Sequence, residues 1–356
     1  MLAAIEAAKS TIVLESYIYT ASPIGDRFRE ALIRAVQRGV NVRVMIDGLG
    51  SSALPGDYWD PLIAAGGQAR RFNPIRLHRM GIRDHRKLLV CDSQVAFIGG
   101  FNIASEYDGD GITSGWCDIG LRVDGRLARE LQESFDEMFP RADFQHKRPL
   151  ILRRPGGKPS VNVREQLLLS GPGLGFSPIK RAFRKDFARA RDVQIVVAYF
   201  LPSWRMRRTL MRIAREGGRV RLILAGKSDV AVSQLAGRSL YRRLLKAGIE
   251  IFEYQPQILH AKLFIIDNVV YVGSSNLDHR SLNINYELLV RFDGDGFSDR
   301  ARSVFNDQLA HSKQITLESW RKSRNLWQRI KQRWAYFLLA RIDPFIARRQ
   351  WKALPD

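Results

Sequence analysis

His85-Arg86-Lys87-Leu88-Leu89-Val90-Cys91-Asp92-Ser93-Gln94-Val95-Ala96-Phe97-Ile98-Gly99-Gly100-Phe101-Asn102 is the stretch that decides the fold, because the chain contains it twice. The second copy runs from His260-Ala261-Lys262 through Asp267 to Gly273-Ser274-Ser275-Asn276, its histidine 175 residues after the first. In each copy two apolar segments flank a short polar break, the pattern of a β-hairpin. Side chains alternate along a strand, so His85 and Lys87 share a face, as do His260 and Lys262. A two-residue turn at Ser93-Gln94 would set Asn102 opposite His85. The second copy is one residue shorter between aspartate and glycine; a three-residue loop, Asp267-Asn268-Val269, would set Asn276 opposite His260, with Asn268 in a left-handed turn position.

The duplication reaches beyond the hairpins. In the first half a strand over 11–19, a helix from Gly25 to Arg38 and a strand over 40–46 form a βαβ beginning; strands over 194–200 and 219–224, with a helix near 205–215, repeat it. The α/β alternation and the length of 356 residues predict two domains, 1–148 and 161–317, joined by a linker at 149–160 that contains Arg153-Arg154-Pro155-Gly156-Gly157-Lys158-Pro159. Met1 to Ser10 reads as an alanine-rich helix without the basic start and apolar run of a signal peptide.

A formal net charge of +21 points to a polyanionic partner, nucleic acid or an anionic membrane surface, without choosing between them. The cysteines, Cys91 and Cys117, lack metal-site spacing and are expected as reduced, buried thiols. No stretch has about 18 uninterrupted apolar residues, so attachment to a membrane is expected from the surface. Residues 318–356 hold ten Lys/Arg against three acids, with Trp320, Trp327 and Trp334 seven apart on roughly one helical face, before Pro344 breaks the pattern. A basic helix with a Trp-rich face suits a lipid headgroup layer; packing of the same tryptophans on the second domain is the competing reading.

Two histidines at one site can split a phosphodiester exchange into two steps. One attacks phosphorus to form a phosphohistidine while the other protonates the leaving oxygen. Lys87, Lys262, Asn102 and Asn276 would hold the non-bridging oxygens, with Ser274 assisting. The two imidazoles must differ in protonation, and Asp118 and Glu287, each downstream of its hairpin on a following strand, are placed to orient a histidine through its other nitrogen. The lysines supply positive charge, so no metal or cofactor is expected. Asp92 and Asp267 belong to the repeated pattern and are candidates for the chemistry, although an aspartate near a hairpin turn also commonly binds backbone. His78, His146, His279 and His311 lack the repeated context and read as surface or structural residues.

On these residues the chain resembles the phospholipase D superfamily, whose signature is His-x-Lys, four residues, Asp, then a Gly-rich segment ending in Asn. Asn276-Leu277-Asp278-His279-Arg280-Ser281-Leu282 with Asn285 and Glu287 is most similar to the bacterial cardiolipin synthases. His85-Arg86-Lys87, Phe97 to Asn102 and Phe252-Glu253-Tyr254 resemble the type B branch. The resemblance implies two tandem α-β-α sandwich domains related by a pseudo-two-fold axis, with one active site at their interface. It implies transfer of a phosphatidyl group from phosphatidylglycerol to a second phosphatidylglycerol, with His85 as nucleophile and His260 as acid. It further implies a peripheral enzyme on the cytoplasmic face of the bacterial inner membrane, and a family strand ahead of the first helix. A phosphodiesterase or nuclease using water as acceptor is the alternative, and a binding protein with a dead site a third.

Overall fold

The computed structural model describes residues 1–75, 81–143, 164–172, 177–323 and 325–342. The expected linker, His78, His146, and the end of the basic segment with Pro344 lie outside these residues. The first half runs α1 (Leu2–Ala7), β1 (Thr11–Ser16), α2 (Pro23–Gln37), β2 (Asn41–Asp47), α3 (Asp60–Ala64), β3 (Gln68–Phe72), β4 (Leu88–Cys91), β5 (Val95–Gly99), β6 (Gly120–Asp124) and α4 (Arg126–Met138). The second runs β7 (Glu165–Ser170), α5 (Pro178–Phe187), β8 (Asp192–Val197), α6 (Trp204–Arg215), β9 (Arg219–Ala225), α7 (Ala231–Arg238), α8 (Tyr241–Lys246), β10 (Glu250–Tyr254), β11 (Lys262–Ile266), β12 (Val269–Gly273), α9 (His279–Asn283), β13 (Glu287–Asp293), α10 (Asp295–Ala310) and β14 (Ser312–Ile315). α11 (Leu317–Lys322) and α12 (Leu326–Phe337) follow.

One sheet has the order β3-β2-β1-β4-β5-β6 and the other β14-β10-β9-β8-β11-β12-β13-β7. In each, three parallel strands joined through helices continue into an antiparallel hairpin, so the repeat read from the sequence is a repeat of topology. Apolar periodicity and a cap produce the helices. Ser22 and Ser203 accept from the amides of Gly25 and Met206 at the starts of α2 and α6, and Phe28, Leu32, Leu210 and Ile213 turn inward. One core draws Leu88, Val90 and Ile98 from the first half and Tyr286, Leu288 and Val290 from the second, so the halves are packed together as well as repeated.

The hairpin registers differ from the expectation by one residue. β4 and β5 pair Cys91 with Val95, closing a three-residue loop over Asp92-Ser93-Gln94; β11 and β12 pair Ile266 with Val269, closing a two-residue loop over Asp267-Asn268. The shorter spacing of the second copy is absorbed in its loop, as expected, but the loop lengths are the reverse of those predicted. The reason is the aspartates, which take positive φ, 55° at Asp92 and 50° at Asp267, in place of Asn268. The Asp92 carboxylate accepts from the amides of Lys9, Ser10 and Thr11, and that of Asp267 from Arg191 and Asp192. Each clamps its turn to the chain entering the neighbouring strand. β5 and β12 end at Gly99 and Gly273, and the chain leaves the sheet before reaching either asparagine, so neither stands directly across from its histidine.

The Trp-rich segment is two helices rather than one face. Asn325 starts α12 with a capping box to Gln328, which breaks the seven-residue phase. Trp320 is buried against Tyr241, ring centroids 4.8 Å apart, while Trp327 and Trp334 are 72% and 67% exposed. Packing on the second domain thus holds for Trp320, while Trp327 and Trp334 face solvent. Among the described residues no helix is long and apolar enough to cross a membrane.

Candidate active site

Two one-residue bridges between the halves build the site: Asp84 pairs with Tyr286, and Cys117 with Leu259. The amide of His85 donates to the carbonyl of Tyr286 at 3.0 Å, and the amide of His260 to that of Cys117 at 2.7 Å. Tyr286 and Cys117 immediately precede Glu287 and Asp118. Each histidine is therefore presented with the carboxylate of the opposite half. Glu287 lies 3.0 Å from His85 Nδ1, and Asp118 lies 2.7 Å from His260 Nδ1. The sequence placed both carboxylates beside histidines but could not show the exchange, because the bridges are long-range contacts of single residues.

Both imidazoles line one cavity of about 380 Å³, together with Asn102, Asn276, Tyr107, Trp116, Tyr199 and Arg280. Lys87 Nζ donates to the carbonyl of His85 at 2.6 Å, and Lys262 Nζ folds back to that of His260 in the same way. Lys262 Nζ also lies 2.7 Å from His260 Nδ1. Asn102 and Asn276 accept through Oδ1 from the amides of Ile18 and Tyr199, in the corresponding loops after β1 and β8. The Nδ2 of Asn102 donates to the hydroxyl of Tyr107, which sits 3.4 Å from His260 Nδ1. Ser274 donates to Glu287, whereas the first half has Gly100 at this place. A Cβ on Gly100 would stand 2.3 Å from Asp118 Oδ1 and 2.8 Å from Lys262 Nζ.

The structure does not bring Asp92 and Asp267 to this cavity. They sit at the far ends of their hairpins, on the backbone amides described above, and their membership of the repeat is accounted for by that clamp. His279, read as a surface or structural residue, lines the cavity rim. Tyr107 and Trp116, with ring centroids 5.4 and 5.6 Å from that of His260, were missed because their loop has no periodic or motif signal. The buried fork of Arg86 on Glu15, 2.6 and 2.5 Å, just ahead of β4, was missed as well.

Burial dominates the electrostatics. It pushes the His85 imidazole well below its ordinary value, reinforced by Lys87 and Lys262. It lowers His260 to about 4, with Lys262 acting in the same direction and Asp118 against it. Lys87 falls to about 7 and Lys262 to about 8, again by burial, opposed by Glu287 and Asp118 respectively. Burial raises Glu287 to about 8, against the pull of Lys87. A site this rich in depressed cations is disposed toward an anion, whose charge would restore their protons.

Paired α/β domains presenting two His-x-Lys hairpins to one cavity define an enzyme of the phospholipase D superfamily. The family model for the cardiolipin synthase, phospholipase D-like domain matches residues 1–139 and 185–309. The chain is 32% identical to the major cardiolipin synthase ClsA of Bacillus subtilis over 93% of its own length and 70% of that protein's. It is 31% identical to cardiolipin synthase B of Shigella flexneri over 94% and 83% of the two lengths. The crystal structure of phosphatidylserine synthase from Haemophilus influenzae superposes with a TM-score of 0.74, covering 97% of this chain and 91% of that one; at 15% identity this shows the shared fold. The chain belongs to the cardiolipin synthase family, the phosphatidyltransferases of the phospholipase D superfamily.

Proposed function

We propose that the protein moves a phosphatidyl group from phosphatidylglycerol to a hydroxyl of a second phosphatidylglycerol through a phosphohistidine on His85. The observation that carries this reading is the pair of imidazoles on one cavity, each held through Nδ1 by a carboxylate of the other half. Neutral His85 attacks phosphorus. His260, protonated as the anionic substrate enters, gives its proton to the departing alcohol, then takes one from the incoming alcohol. Lys87, Lys262, Asn102 and Asn276 hold the non-bridging oxygens. Glu287 and Asp118 act as positioning residues, and Ser274 supports Glu287.

The domains assigned are 1–148 and 161–317, with 318–356 as the segment that meets the anionic membrane surface. Leu326, Trp327, Trp334 and Phe337 project from α12 at 49% exposure or more, beside Arg329, Lys331 and Arg333. Leu339, just beyond this helix, lines the cavity, so the lipid-facing helix and the site are adjacent. The names of the relatives support the substrate class.

The test is product analysis with vesicles of phosphatidylglycerol, run in parallel with single-stranded DNA. Diphospholipid with release of glycerol is expected; nucleotide release without diphospholipid would establish the nuclease alternative instead. In reactions quenched into alkaline detergent, a labelled phosphatidyl group is expected on His85 of the wild-type protein and none in His85→Ala, while His260→Ala, without the acid for the departing alcohol, should lose turnover. Undiminished lipid turnover in both variants would leave the two imidazoles without the assigned roles.

A further inference from the structure

The two ends of the cavity are chemically different. At the His85 end the charge of Arg280 acts on the imidazole. At the His260 end stands Tyr199, ring centroid 6.2 Å from that of the histidine, and its hydroxyl donates to Asp229 Oδ2 at 2.6 Å. Both residues line the cavity. Counting from the matched strands, the first half has Ile18 where the second has Tyr199, and Ser51 where it has Asp229. Ser51 is buried, accepting from the amide of Tyr19 at 2.9 Å. Asp229 is exposed. Tyr17 brings a phenol to the His85 end as well, ring centroids 5.0 Å apart, so what sets the His260 end apart is a phenol hydrogen-bonded to an exposed carboxylate.

A carboxylate repels the phosphodiester that the cationic end attracts, so binding phosphate does not explain it. What a carboxylate does well is accept hydrogen bonds from hydroxyls. Beside Asp229 the wall becomes apolar through Val230 and Leu339, toward α12.

We propose that Tyr199 and Asp229 form the subsite for the exchanging alcohol, selecting a polyol whose spare hydroxyl donates to Asp229, while Val230 and Leu339 receive the chain of a lipid-borne acceptor. This rests on the reading of His260 as the acid, which fixes where the alcohol sits. In the first step the P–O bond to the alcohol breaks, its oxygen takes the His260 proton, and the His85–P bond forms. In the second the acceptor's O–H proton returns to His260, its oxygen bonds phosphorus, and the His85–P bond breaks.

The experiment uses the intact protein with phosphatidylglycerol in mixed micelles and three competing acceptors at equal concentration: isotope-labelled glycerol, 1-propanol and ethanolamine. The wild-type protein should prefer glycerol. In Asp229→Asn the ratio of labelled phosphatidylglycerol to phosphatidylpropanol should fall about tenfold, the size of one lost hydrogen bond to a charged group, and in Tyr199→Phe about threefold. A ratio within twofold of wild type in Asp229→Asn overturns the proposal. So does a parallel loss of all products, which would make Asp229 a positioning residue acting through Tyr199. A larger change for ethanolamine than for glycerol would assign the subsite to cationic headgroups instead. Failure of the wild-type protein to form any transfer product would reject the transferase reading itself, and the subsite with it.

Discussion

Gly100 lacks a side chain because Asp118 and Lys262 occupy the place where one would stand. Asp118 is fixed by its contact with His260, so it has little room to give way. Gly100→Ala should therefore disturb the imidazole of the opposite half, lowering kcat at least tenfold with a smaller change in KM, as steady-state kinetics on micellar lipid would reveal. The lysines make a second prediction at this scale. Their values of about 7 and 8 lie below the ordinary 10.5, so each loses its charge at a lower pH than a free lysine. The charged forms bind phosphate, so kcat/KM should decline as pH rises through 7 to 8. His85, held well below 6.5, stays neutral and nucleophilic throughout that range. In kcat the decline should move to higher pH, because bound anion favours the protonated lysines. A flat kcat/KM profile between pH 6 and 9 would contradict this.

Among the elements, the hairpins and α12 carry distinct consequences. Asp92 and Asp267 secure turns on backbone amides of a neighbouring strand entry. Replacing either by alanine leaves those donors without the carboxylate and should cost about 1–2 kcal/mol of stability, comparable to loss of a helix cap, with kcat essentially retained. Denaturant unfolding together with turnover would separate this from a catalytic role, for which kcat would collapse at unchanged stability. α12 offers the opposite case, side chains that stand out into solvent. Trp327 and Trp334 are exposed, so Trp327→Glu with Trp334→Glu should leave the thermal transition in place. Sedimentation with anionic vesicles should weaken at least tenfold, whereas vesicles of zwitterionic lipid should bind poorly in either form. Equal sedimentation of the variant and the parent protein would place the lipid contact elsewhere.

For the molecule as a whole, the exchange of carboxylates makes the halves interdependent. His85 relies on Glu287 and His260 on Asp118, and Leu88, Val90, Tyr286, Leu288 and Val290 belong to one core. Segments 1–148 and 161–356 expressed separately should each be inactive, and co-expression should restore turnover and co-purification. Activity of either segment alone would show that the swapped contacts are dispensable.

The duplication, the α/β alternation and the residue types of the site are legible in the chain alone. His-x-Lys spacing and strand periodicity are local properties, legible wherever alternation holds. The side of each hairpin turn was not legible to one residue. For Asp92 and Asp267 the motif leaves chemistry and backbone binding both open, because it records which residues recur and is silent about what they touch; their partners, Lys9 to Thr11 and Arg191 to Asp192, lie more than 70 positions away. It takes the folded molecule to give each imidazole its carboxylate from the other half, to set Tyr107 and Trp116 beside His260, and to turn Trp320 inward while Trp327 and Trp334 face solvent. These outcomes depend on single contacts between distant segments, fixed when two sheets pack into a common core, and no short-range pattern in the chain encodes them.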